Sequence, residues 1–318
     1  MIPAFGAVLL PLSMLSRFVD PFSAILRDVL GLNPVLLQLV AFALLLGGVY
    51  ALTALGLTMI FGVMDVINFA HGIFLVVGMY TTLVVTTTFG VNPFLAIGVA
   101  VVVLFVLGVV MHLSIIEPIL DAPDQNQLIV TLGALFVIQS VIEIGFGPDP
   151  QSIGFKAGTL EVAGVFIPNG RLYALALAIL AMVVVWAFLQ YTDLGREIRG
   201  TANNRIGAQY VGINVTRINY LTFGIGAALA GLAGGSVALF NRFDPFSGST
   251  YLINAFVIVV LGGLGSFPGA FLGGMIIGFL QVFGSYYLPG TTYQILIFLL
   301  FIGTLLVKPE GIFGGESA

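Results

Sequence analysis

GLTMIFGVMDVINFAHG, Gly56 to Gly72, sets Asp65, Asn68 and His71 inside a run that is otherwise compatible with lipid. A charged side chain at bilayer depth costs about 2.5–3.5 kcal/mol on insertion scales, so such residues face a protein interior or an aqueous pathway. Read as a continuous helix, the stretch would set Asp65, Asn68 and Gly72 on one face. It reads as the working interior of a membrane protein.

The composition around it fixes the class. Of 318 residues, 59% are hydrophobic and only 8% charged, with a mean hydropathy of +1.14. A soluble domain carries about 25% charged residues, and here apolar runs of spanning length recur almost from end to end. The expected fold is an all-α polytopic membrane protein. The sequence has no cysteine, which excludes disulfides, thiolate nucleophiles and Cys-ligated metals. With His71 and His112 the only histidines, a histidine metal cluster is not expected either. Nothing suggests a nucleic-acid partner.

Residues 1–34 are broken by Pro3, Pro11 and Pro21 and carry Arg17, Asp20, Arg27 and Asp28. They read as an interfacial segment, and no basic region precedes Ile2 to Leu15 as a cleaved signal would require. The membrane domain then occupies 35–308, and 309–318 form a tail. Eight full spans are expected at 35–55, 72–89, 94–114, 128–146, 171–190, 218–240, 270–288 and 291–307. Two shorter apolar pieces, 57–67 and 252–264, are too short to cross a hydrocarbon core of about 30 Å as ideal helices. They read as broken or re-entrant crossings.

Half of the arginines, Arg196, Arg199, Arg205 and Arg217, lie between residues 190 and 218. The positive-inside rule puts that loop in the cytoplasm. Segment 147–170 then faces outside, and Lys308 argues for a cytoplasmic C-terminus. Parity favours ten transits of the cell membrane, two of them discontinuous, with the N-terminus cytoplasmic as well. A succession of helix, short piece, break, helix and helix occurs at 35–114 and again at 218–307, in the same orientation under this topology. Such repeats with discontinuous helices recur in transporters, whose pathways lie at the repeat interface.

The second break, LGGLGSFPGA, has readable local physics. Ser266 can cap a helix beginning near Pro268, and Gly262, Gly263, Gly265 and Gly269 permit a tight turn or close helix approach. In the first break Asn68 is the corresponding cap candidate. Each break would aim a helix N-terminus, with its partial positive charge, into the membrane domain. The alternative is that these caps merely finish helices and the glycines merely permit packing. Packing is the reading for GIGAALAGLAGG, Gly224 to Gly235, whose small residues recur at spacings of three to four.

Asp193 to Ile218 is too polar to span. Ile206, Tyr210 and Val211 could line one face of a short helix, with Gly212 closing it and Ile213 packing beyond. Such a helix beneath a membrane domain is a contact for a cytoplasmic partner. Alternatively, its arginines only enforce topology or bind anionic headgroups of the surrounding lipid.

GLTMIFGVMDVINFAHG, GREIRGTANNRIGAQYVGINVTRI and AFVIVVLGGLGSFPGAFLGG, in that order, resemble the LivH-type permease of branched-chain amino-acid ABC importers, over about residues 38–311. The family's loop pattern appears as Gly195, Arg196, Arg199, Ala208 and then Tyr210-Val211-Gly212-Ile213, where Tyr210-Val211 departs from the commoner Leu-Met type of pair. The resemblance implies a second, LivM-like permease, two cytoplasmic ATPase subunits and an extracytoplasmic solute-binding protein as partners. No G-x-x-x-x-G-K-[ST] occurs in the chain, so ATP and Mg would be held by the ATPases.

On this reading Gly195, Arg196, Arg199, Gly207, Ala208, Gly212 and Ile213, within a loop spanning 191–217, couple to the ATPases. Asp65, Asn68, His71, Gly72, Gly262, Gly263, Gly265, Ser266 and Gly269 are the pathway candidates. Asp65 could instead pair with a buried arginine or backbone amide, and His71 could be a hydrogen-bonded packing residue. The cargo would be leucine, isoleucine and valine, or urea or a short amide in the same machinery. The rival class is a secondary transporter or channel using Asp65 or Glu143 for ion coupling.

Overall fold

The computed structural model of the protein describes residues 34–120, 122–162 and 164–312. The N-terminal segment but for Pro34, and the tail beyond residue 312, lie outside the described residues. Those described form a helical membrane domain with one small hairpin. Helices α1 (Pro34–Met64), α2 (His71–Phe89) and α3 (Pro93–Met111) come first. A π turn at His112–Ile116 and a 3-10 turn at Glu117–Ile119 extend α3, and α4 (Asp124–Phe146) follows. Strands β1 (Thr159–Val162) and β2 (Val165–Pro168) pair antiparallel before α5 (Asn169–Tyr191). Two short polar helices, α6 (Asp193–Asn203) and α7 (Arg205–Tyr210), lead into α8 (Val215–Ala238). The chain ends on α9 (Gly248–Gly262), α10 (Phe267–Tyr287) and α11 (Thr292–Val307).

Seven of these helices are long and apolar enough to cross a membrane, and α9 and α11 are shorter apolar helices. That is nine among the described residues, against the ten transits expected. The difference lies in 35–55 and 57–67, which as far as Met64 are one helix of 31 residues, about 46 Å long at roughly 1.5 Å per residue. Gly56 does not break it. A Cβ built on Gly56 would lie 2.5 Å from the Gly226 carbonyl oxygen, so this glycine serves close approach to α8. With nine helices Pro34 and Lys308 fall on opposite sides of the domain, and the side of the N-terminus itself lies outside the described residues.

The helix ends locate two faces. The C-terminal turns of α1 and α5 share a cavity wall with α6, at the Arg-rich end. Gln38 near the start of α1 bonds the Phe166 backbone of the hairpin in both directions, at 2.7 and 2.8 Å, which sets the hairpin at the opposite end. Helix α1 therefore runs toward the Arg-rich end and α8 runs away from it. The repeat is inverted, not parallel as expected. Its halves match: α1 packs along α10 as α3 packs along α8, and these are the two most extensive helix pairings.

Two reciprocal glycine contacts lie at the crossing of the halves. Gly56 meets Gly226, and a Cβ on Gly72 or on Gly248 would fall 2.6 or 2.5 Å from the other's carbonyl oxygen. Gly226 is midway along α8, so α2 and α9 both begin about halfway through the domain. The segments before them, 65–70 and 239–247, complete each crossing without helix. The second mid-depth N-terminus is thus that of α9. Helix α10, which begins within LGGLGSFPGA, starts instead at the Arg-rich end, where Gly62 meets Gly265. Around this centre α3, α4, α5 and α11 turn apolar side chains such as Val102, Val137, Val184 and Leu306 outward, as lipid-facing helices do.

Gly56→Leu should drive α1 from α8, lowering the thermal midpoint of the detergent-purified protein by the equivalent of about 1–3 kcal/mol of overpacking, or more. Gly98→Ala, with nothing within 4 Å of its Cβ, should leave the midpoint unchanged.

Candidate functional site

The first break starts where α1 runs out. Asp65 donates its backbone N–H to Phe61 O at 2.9 Å but adopts φ 54, a left-handed turn that stops the helix. Its side chain is exposed, and it makes no ion pair or side-chain hydrogen bond among the described residues. Asp65, Asn68 and Gly72 therefore do not share a helical face. Ala70 N–H donates to Asn68 Oδ1 at 3.0 Å, and His71 N–H to Asn68 O at 3.2 Å. Asn68 thus closes a turn just before α2 rather than capping the helix itself, whose N-cap residue is Ala70.

Asn68 and His71 are fully buried. His71 Nε2 lies 2.9 Å from the carbonyl oxygen of Thr53 in α1. A carbonyl only accepts, so Nε2 carries the proton and Nδ1 is left unprotonated and without a partner. That geometry fits the packing role for His71 better than a relay. Thr131 on α4 holds the extended residues, taking the Phe69 N–H at 3.3 Å and reaching Ile67 O at 3.4 Å. The sequence reading did not single out Thr53 or Thr131. The only signal for either was a hydroxyl in an apolar helix.

The second break is a tight corner. Gly263 and Gly265 have φ 94 and 82, values at which any side chain is strained. Ser266 Oγ accepts the Gly269 N–H at 3.1 Å, with Pro268 in the first turn of α10. A Cβ on Gly262 or Gly269 would strike the other's carbonyl, and Ile312 N–H donates to Leu261 O at 2.8 Å. The pathway candidates therefore divide. Asn68, His71 and Gly72 sit at mid-depth, while Asp65, through the end of α1, and residues 262–269 belong to the Arg-rich end.

At that end the structure brings the two candidate sets together. A cavity of about 390 Å³ is lined by Thr58 and Gly62 of α1, Gln190 of α5, Arg199 and Asn203 of α6, and Gly265. Arg199 donates to Leu189 O and, at 2.9 Å, to Gln190 Oε1. It places a cation on the last carbonyls of α5, where the helix dipole favours one. Arg196 instead makes an exposed ion pair with Asp193 on its own helix. Gly195 is buried with no room for a Cβ against the Phe188 and Leu189 backbone, so it is a joint between α5 and α6.

Helix α7 is short because both ends are fixed. Asn204 Oδ1 accepts the Gly207 N–H at 2.7 Å, and Gly212 at φ 86 turns the chain so that Ile213 N–H reaches Ala208 O at 3.0 Å. Ala208 is buried and Ile213 packs on the core. Ile206, Tyr210 and Val211, by contrast, are 64%, 87% and 77% exposed. Three large apolar side chains on a polar helix pair are a surface without a cover.

The overlooked element is 239–247, the counterpart of 65–70. Asp244 Oδ1 accepts from Phe246 N–H at 2.8 Å and from Ser247 Oγ at 3.0 Å. Its signal was the cluster Asn241-Arg242-Phe243-Asp244-Pro245 between two apolar runs.

Comparison with known proteins follows the same outline. Residues 39–305 match the family described as "Branched-chain amino acid transport system / permease component". The chain is 31% identical over 284 residues to the high-affinity branched-chain amino acid transport system permease protein LivH of Escherichia coli K12, covering 85% of this chain and 92% of the relative. It is 30% identical to the corresponding permease protein BraD of Pseudomonas aeruginosa, over 87% and 95%. The ribose import permease protein RbsC of Escherichia coli K12 is 27% identical over 60% and 61%. No solved structure matches the chain.

Arg199→Met should cost about 1 kcal/mol of stability by freeing the α5 carbonyls, read as a lower thermal midpoint. Arg196→Met, breaking only an exposed i,i+3 pair, should cause no measurable shift.

Proposed function

The chain belongs to the branched-chain amino acid transport permease family, and from that membership we propose that it is the membrane-spanning subunit of an ATP-binding-cassette importer. Its cargo is leucine, isoleucine and valine. The observation that carries this reading is the match over nearly the whole membrane domain, joined to three uncovered apolar side chains at the Arg-rich end. The positive-inside rule assigns that end to the cytoplasm, so the face carrying the β1–β2 hairpin is extracytoplasmic and receives the solute-binding protein.

Two ATPase subunits, holding ATP and Mg, dock on α7 through Ile206, Tyr210 and Val211. A LivM-like second permease completes the pathway. Helix α6 carries the push inward along two fixed joints. One is Gly195 with Arg199 on the end of α5. The other is the start of α8, where Asn214 Oδ1 accepts the Arg217 N–H at 3.0 Å and Thr216 donates to Glu117 Oε1 at 2.9 Å. The cavity between α6 and the Gly62–Gly265 contact gives these elements room to shift. Alternating access then follows from rocking one half of the inverted repeat against the other.

Gly207 is a poor site for testing the coupling, because its Cβ would meet the Asn204 side chain at 3.1–3.3 Å and disturb the cap. Tyr210→Asp is better, since it changes only an exposed surface. In vesicles holding this chain, its partner permease, the ATPases and the binding protein, ATP-driven uptake of labelled leucine should be present. Tyr210→Asp should cut it at least about tenfold, the effect of losing a buried aromatic anchor of roughly 1.4 kcal/mol or more, with an unchanged thermal midpoint of the isolated chain. Uptake driven by an ion gradient with this chain alone would overturn the proposal.

A further inference from the structure

One surface, running from mid-depth at Thr250 toward the outer end of the last helix at Gln294, is polar without an evident structural reason. Between α9, α10 and α11 lies a cavity of about 270 Å³ whose walls include Thr250, Asn254, Gln281, Tyr293 and Gln294. Thr250 and Asn254 are one turn apart on α9, immediately after Gly248, and so stand close to the depth where the two broken crossings meet. Tyr50 on α1 reaches in behind them and donates to Gln281 Oε1 at 2.6 Å. Thr250 and Gln294 are exposed, and neither makes a side-chain hydrogen bond among the described residues. Amides and hydroxyls left open toward hydrocarbon forfeit hydrogen bonds that water would supply. Thr250, close to mid-depth, therefore does not face lipid.

The lipid-facing side of α11 is a different one. Ile295, Leu299, Ile302 and Leu306 follow helical spacing and are all at least 50% exposed, whereas Gln294 and Ile297 turn to the cavity. The corresponding half-helix α2 offers no such surface, for its matching stretch is apolar and buried from Gly72 to Val76. The polar face is thus particular to α9, and the fully buried Asn68 and His71 do not share it.

We propose that this cleft is the substrate-pathway wall contributed by this chain, and that it takes a zwitterionic amino acid with an apolar side chain. The inference rests on the permease reading and adds the place and chemistry of contact. No lining residue is ionisable at neutral pH, so no full charge repels or traps either end of a zwitterion. Amide oxygens can accept from its ammonium, and amide N–H and hydroxyl groups can donate to its carboxylate. Ile297 and Phe298 supply an apolar wall for the side chain. The volume lies just under the roughly 300–1,000 Å³ of typical ligand pockets, which suits a small solute.

The absence of cysteine from the natural sequence makes the test direct. Gln294→Cys, Thr250→Cys and the lipid-facing control Leu299→Cys are placed singly in the complete importer in vesicles. A membrane-impermeant thiol reagent is applied during ATP turnover, and modification is read as a mass shift of this chain. Because the thiolate reacts and forms only where water reaches, residues 294 and 250 should react at least about tenfold faster than residue 299, and saturating leucine should slow them several-fold. Unreactive or leucine-insensitive thiols at 294 and 250, in vesicles whose unsubstituted importer takes up leucine, would overturn the cleft assignment alone. Failure of the unsubstituted importer to take up leucine would overturn the permease reading and this inference with it.

Discussion

The structure depends on backbone meeting backbone at mid-depth. Where Gly72 faces Gly248 and Gly56 faces Gly226, no Cβ fits, and dispersion between closely approached helices replaces the hydrophobic drive that lipid cannot supply. These contacts let two helices begin inside the membrane domain instead of at its surface. A side chain at any of the four would separate the halves of the repeat.

Beginning a helix inside a membrane creates a second demand, because the segment leading to it has unpaired backbone groups. Non-helical backbone at that depth is tolerated only when buried in protein or lining water. Residues 65–70 meet the demand with Asn68 and Thr131, and 239–247 with Asp244 and Ser247. The corner before α10 uses Ser266. In the first break Asn68 is spent on the turn, His71 bonds α1 at the Thr53 carbonyl, and Asp65 stays exposed. Burial that satisfies a break also encloses its side chains in protein, as Asn68 and His71 illustrate.

The spans were mostly legible, since hydropathy and end signals agree over them: the runs 72–89, 171–190 and 270–288 lie within α2, α5 and, but for Leu288, α10. Ser266 and Gly212 were legible because a cap and a left-handed turn are local events. The division into 35–55 and 57–67 was misleading, because Gly56 between them is a packing surface and not a break. The orientation of the repeat hung on the count of crossings: six transits before residue 218 would make the copies parallel, and the five found, α1 to α5, invert them. The face formed by Thr250 and Asn254 had a signal, two polar residues four apart in an apolar helix, but without the fold it did not stand out from ordinary intrahelical bonding.

The same physics separates the two ends of the molecule. Arg199 and Gly195 fix α6 to α5 without leaving anything to grip from outside, whereas Ile206, Tyr210 and Val211 leave an apolar surface with nothing beneath it to explain it. Residues matching a family's loop pattern need not therefore touch its partners. On the proposed reading, the glycines and the buried Ala208 shape a lever, and the exposed side chains between them form its handle. Force applied at α7 would then meet the joints at α5 and α8 and the cavity beside Gly265. Motion arriving there reaches α1 and α10 together, one from each half of the repeat, which is the pair that must part if the halves are to rock.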